Sequence, residues 1–151
     1  MSRDTAILKP GLHRLISEFL NEGFTVRIIA SGTSMYPAIR PGDIIDIVPV
    51  GGTGDLIKPG EVIALNRDDD MVVHRFIGYF ERGGRRWVFT RGDSVLRADE
   101  PVPAEAVAGR VVAVTRGNGE VRKLRPLTNV FYRWNRLMVK GVMGIKGLLR
   151  H

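Results

Sequence analysis

Cysteine is absent from the 151 residues, which excludes disulfides, thiolate metal sites and a cysteine nucleophile. The redox character of the compartment therefore leaves no trace in the sequence. Long apolar runs are missing too. No stretch approaches the roughly 18 uninterrupted apolar residues that a spanning helix needs. The start, Met1 to Lys9, lacks both the apolar core and the small-residue cleavage site of a secretory signal. The expectation is a chain that does not cross a bilayer and works in the cytoplasm. Internal repeats are absent. Residues 1–23 hold one short helical pattern, too little for a helix-turn-helix, which argues against sequence-specific nucleic-acid recognition. Gly51-Gly-Thr-Gly54 has neither the spacing nor the lysine of a phosphate loop and reads as a turn.

What remains is an ordinary globular composition with an unusual distribution of charge. Hydrophobic residues make up 44% and charged residues 26%, enough apolar surface for one domain with a real core. The net charge of +7 is concentrated at one end. Residues 116–151 carry nine basic side chains against Glu120 alone, whereas residues 1–115 carry 14 basic and 15 acidic ones. Such asymmetry points to an anionic partner for the tail.

The hydrophobic rhythm divides the chain into three parts: an N-terminal helix within 1–23, a β domain over 24–125 and a basic helix over 126–151. In 10–22, Leu12, Leu15, Ile16, Phe19 and Leu20 recur at helical spacing, with Pro10 suited to the first turn and Gly23 to the stop. From Phe24 the period changes to two. Strands are predicted over 24–30, 44–48, 61–65, 71–80, 86–90 and 107–114, with Pro41-Gly42, Pro59-Gly60 and Gly83-Gly84 as turns. Short strands separated by turn residues describe a mainly β fold, not βαβ units. From Leu127 the helical period returns, with Phe131, Trp134 and leucines on one side and Arg133, Arg136, Lys140 and Lys146 between them. Three glycines, Gly141, Gly144 and Gly147, weaken that helix by about 1 kcal/mol each relative to Ala. Asp68-Asp69-Asp70 reads as a solvated loop, and Arg82, Arg85 and Arg86 as a solvated face.

Ser34 lies in an uncommon setting. Ser31-Gly-Thr-Ser-Met-Tyr-Pro37 follows a predicted strand, Gly32 permits close backbone approach and Pro37 stiffens the exit. A nucleophilic serine needs an accessible hydroxyl, N–H donors for an oxyanion and a base. Of the three histidines, His13 and His151 read as surface groups. His74, within Val72-Val73-His74-Arg75-Phe76-Ile77, reads either as a satisfied core histidine or as a base; an imidazole ordinarily titrates near neutral pH.

Ser31–Pro37 with Pro41-Gly-Asp43 resembles the nucleophile box of the signal peptidase I superfamily, to which the LexA-like self-cleaving repressors also belong. Lys58-Pro-Gly-Glu-Val-Ile63 resembles the strand that follows in that family, and His74-Arg-Phe-Ile-Gly78 the box that supplies the base. Thr90-Arg-Gly-Asp93 with Asp99 resembles the next box, and Gly109-Arg-Val-Val-Ala113 the closing strand. The five boxes stand in the family's order over about residues 26–114. Many members carry a lysine in the base box. His74 instead resembles the archaeal, endoplasmic-reticulum and sporulation types.

The resemblance implies a coiled β-sheet peptidase domain that hydrolyses a peptide or protein through an acyl-enzyme on Ser34. His74 would be the base, with Asp99 or Asp93 orienting its imidazole and Asp99 the favoured of the two. No metal or organic cofactor is implied. Gly32, Ser31, Thr33 and Met35 would shape the site. Many bacterial members have a second serine at the position of Gly32, so the Ser34 N–H would carry most of the oxyanion, helped by Ser31 or Thr33. Another departure is Ser94 after Asp93, where members often carry asparagine a little further on. Members usually have spanning segments; here residues 127–150 would instead lie on an anionic membrane surface. The rival expectation is a weak or inactive peptidase-fold binding protein whose tail docks on membrane, nucleic acid or a partner. Nothing in the sequence sets the oligomeric state.

Overall fold

The computed structural model describes residues 11–51 and 57–124. Its element order is α1 (Leu12–Asn21), β1 (Val26–Ile29), β2 (Ile44–Pro49), β3 (Val62–Arg67), β4 (Asp70–Arg82), β5 (Arg85–Arg91), β6 (Val102–Pro103), β7 (Val107–Thr115) and β8 (Val121–Lys123). A single 3₁₀ turn, Ala104–Ala106, separates β6 from β7. The protein is mainly β, as expected. The predicted helix over 127–150 and the membrane contact assigned to it lie outside the described residues, as do Pro10 and His151. No helix among the described residues is long and apolar enough to cross a membrane.

All the strands belong to one curled antiparallel sheet in the order β1-β2-β7-β3-β4-β5-β6, with β8 added on β7. The sequence explains the middle of that order. In β3, Val62, Ile63, Ala64 and Leu65 are all buried, because both faces of the strand are covered. Val62 and Ala64 join a first core with Ile16 and Leu20 of α1, Ile45, Ile47 and Val111. Ile63 and Leu65 join a second with Val72, Phe76 and Val88. Irregular register between β2 and β7, β3 and β7, and β4 and β5 interrupts the ladders. Such irregularities bend strands and increase their twist, in keeping with the curl.

The turns follow their residues. Gly83 and Gly84 both have positive φ, 62° and 71°, as a two-residue hairpin requires. The acidic run is a solvent-exposed corner at Asp68 and Asp69, and a tight one. Asp68 and Asp69 form the β3–β4 turn with φ of 47° and 61°, and Asp70 already belongs to β4, opposite Arg67. Aspartate tolerates the left-handed region better than most side chains, which is why the run can make this corner. Gly23, φ 93°, ends α1 where the pattern placed the stop.

Gly109 in β7 is needed for contact, not for conformation. A Cβ there would meet the Val48 carbonyl oxygen at 2.5 Å and Ile47 Cγ2 at 2.7 Å. Gly109→Ala is therefore expected to force β2 and β7 apart and to destabilise the fold by about 1–3 kcal/mol, the usual range for overpacking. Urea unfolding of the two proteins checks this.

Candidate active site

The loop that carries Ser34, residues 30–43, is closed at its base by backbone bonds: Ala30 N–H donates to Asp43 O at 2.8 Å and Gly42 N–H to Ala30 O at 2.7 Å. Met35 and Ile39 point into the first core and are buried. Arg116, just past β7, braces the outer turn. It pairs with Asp43 at 3.0 Å and donates to the carbonyls of Pro37 and Ala38 at 3.1 and 3.3 Å. A loop anchored by both apolar side chains and a buried guanidinium holds its serine in one place.

Ser34 is 5% exposed and His74 9%. The Ser34 hydroxyl lies 3.0 Å from His74 Nε2. The other ring nitrogen, Nδ1, lies 2.5 Å from Asp99 Oδ2. Thr90 Oγ1 donates to that same oxygen at 2.6 Å, and Asp99 N–H donates to Thr90 O at 2.8 Å. In the Nδ1–H tautomer the imidazole and Thr90 both donate to this one oxygen. In that tautomer Nε2 faces the Ser34 hydroxyl as an acceptor. Of the two aspartates, Asp99 therefore reaches the imidazole.

Asp93 is elsewhere engaged. Arg75, beside His74 on β4 and only 3% exposed, grips it with two bonds, from Nε at 3.0 Å and Nη2 at 2.5 Å. Nη1 of Arg75 donates to Gly60 O at 2.9 Å. This clamp ties the 92–95 turn to β4 and to the turn before β3. Ser94 donates to Ser34 O through its N–H (2.9 Å) and to Thr33 O through its hydroxyl (2.8 Å). The two loops touch so closely that a Cβ on Gly92 would meet Ser34 O at 2.7 Å. Burial lowers the pKa of nearby Arg91 from the ordinary arginine value, and the Asp93 charge partly offsets this.

The remaining residues named from the sequence fall around the hydroxyl. Gly32 and Met35 line, with Ala30, Ile39, Ile45 and Val73, a small cavity of about 30 Å³ against Ser34. Ser31 and Thr33 are exposed beside it. The sequence reading missed Thr90, Arg75 and Ser94 as working parts, although each falls within or next to a box it singled out. Among the described residues no group of three or more His, Asp or Glu side chains could hold a metal ion. Compared with known proteins, the chain matches no family model and no curated sequence.

Proposed function

We propose that the chain is a serine endopeptidase of the signal peptidase I kind, working through Ser34, His74 and Asp99. The observation that carries this reading is the run of hydrogen bonds from the Ser34 hydroxyl through the imidazole to the Asp99 carboxylate. In acylation His74 Nε2 takes the proton as Ser34 Oγ attacks the scissile carbonyl carbon. The resulting imidazolium is stabilised by Asp99 and gives the proton to the departing amine. Water then repeats the sequence on the acyl ester, with His74 again the base. This reading assigns the oxyanion to the Ser34 N–H.

Two further features fit. The cavity beside Ser34 is apolar and has room for only a very small group, which suits a small side chain next to the scissile bond. Strand β1 is at the end of the sheet order, paired among the described residues with β2 alone, and leads into the loop that carries Ser34. An extended peptide could add to that edge by main-chain bonds and pass the serine.

Treatment of the folded protein with a serine-directed fluorophosphonate, followed by peptide mapping, is expected to modify Ser34. Modification should be absent in protein unfolded by urea. A folded protein that stays unlabelled, and cleaves no peptide from a library with small residues at alternate positions, would favour the rival reading of an inactive binding protein.

A further inference from the structure

Beyond Ser34 the same loop forms the wall of a second, much larger cavity, of about 580 Å³. That volume lies in the range of small-molecule sites. Pro37 and Ala38 contribute the loop wall, and Arg40, Arg116, Arg122 and Lys123 contribute cations. The Arg75–Asp93 pair completes the charged lining, so five cationic side chains face one carboxylate there. Some of that charge is already engaged: Arg75 holds Asp93, Arg116 holds Asp43 and the loop carbonyls, and Arg122 reaches Glu120 through Nε at 2.9 Å. Arg40 and Lys123 have no carboxylate partner among the described residues; Arg40 lies over the Tyr36 ring, 5.5 Å from its centre.

Outside the described residues the sequence holds few carboxylates. Residues 125–151 follow directly on Leu124, which lines the cavity, and they hold six Lys and Arg and no Asp or Glu. Residues 1–10 and 52–56 hold one carboxylate each, Asp4 and Asp55. The cationic lining attracts an anion from outside.

We propose that the cavity binds a phosphate group, carried either by a membrane lipid headgroup or by a small phosphorylated molecule. Guanidinium forks match tetrahedral phosphate oxygens with paired N–H donors, and an ammonium such as that of Lys123 adds a point charge. The basic tail beginning at the rim adds longer-range attraction for a surface bearing many such groups. This site uses neither Ser34 nor His74, so it stands or falls apart from the peptidase reading.

The full chain is compared with Arg40→Gln/Lys123→Gln and, as a control removing the same charge, Arg133→Gln/Arg136→Gln. Titration with inorganic phosphate is expected to shift the amide resonances of Ala38, Arg40 and Lys123, with affinity falling about tenfold or more in the cavity variant and unchanged in the control. Co-sedimentation with phosphatidylcholine vesicles, with and without phosphatidylglycerol, separates the sources. A headgroup site loses binding to the anionic vesicles in the cavity variant by more than in the control. A site for a small phosphorylated molecule keeps vesicle binding in the cavity variant while phosphate binding is lost. Phosphate that leaves those three amides unmoved, or equal losses in both variants, overturns the proposal.

Discussion

Ser34→Ala and His74→Ala are each expected to reduce peptide-bond hydrolysis to background while the protein stays folded. The loss should be about 10⁴-fold or more, the scale seen when nucleophile or base is removed from such a unit. Because the two groups act as one device, the double variant should be no slower than either single one. The fold should survive for reasons visible in the packing. Removing the serine hydroxyl gives up one hydrogen bond, about 1 kcal/mol. Removing the imidazole leaves Asp99 still accepting from Thr90 Oγ1, so its carboxylate is not orphaned. Lys58→Ala, at the turn before β3, should keep activity. Full activity in His74→Ala together with loss in a lysine variant would show that the base had been misassigned. Steady-state cleavage and thermal unfolding, measured on the same preparations, decide it.

Asp99→Asn is expected to lower turnover by about 10³–10⁴-fold with little change in structure. The carboxylate oxygen that meets His74 Nδ1 also accepts from Thr90, so the position must accept twice. An asparagine that turns its oxygen there keeps both bonds but loses the charge that stabilises the imidazolium. One that turns its NH₂ there stabilises the wrong tautomer and points an N–H at the serine. Thr90→Val should cost far less, because Asp99 would keep the imidazole bond. An Asp93→Asn variant as damaged as Asp99→Asn in rate, but equally stable, would reassign the orienting role.

The strands that the sequence made legible are those with β-branched alternation and a marked turn on each side. Gly83-Gly84 and Pro59-Gly60 announce β4, β5 and β3 because few other residues can occupy those corners. Strand β6 escaped detection because it has only two residues, one of them Pro103. Strand β8 escaped because Val121, Arg122 and Lys123 are all exposed and show no alternation. Ser34 and His74 stood out through the order of the boxes around them, not through either residue alone. The choice between Asp93 and Asp99 depended on a return of the chain that no local pattern encodes. After Gly92 the backbone comes back alongside β5 until Asp99 N–H meets Thr90 O, whereas Asp93 stays at the corner facing Arg75. Thr90 and Ser94 were hidden because hydroxyls are common in loops and strand ends, and only register reveals which ones are used.

Several ties that hold the hydroxyl beside the imidazole join distant parts of the polypeptide. Ser34 and His74 are separated by 40 positions, Thr33 and Ser94 by 61, and Asp43 and Arg116 by 73. Contacts of such long separation form late, after the loops between them have closed. A ribosome-bound chain that has emerged only as far as β5 lacks Asp99 and the Arg116 brace, so neither contact yet orders the Ser34–His74 pair. On the peptidase reading proposed above, reactivity would thus be timed by completion of the sheet.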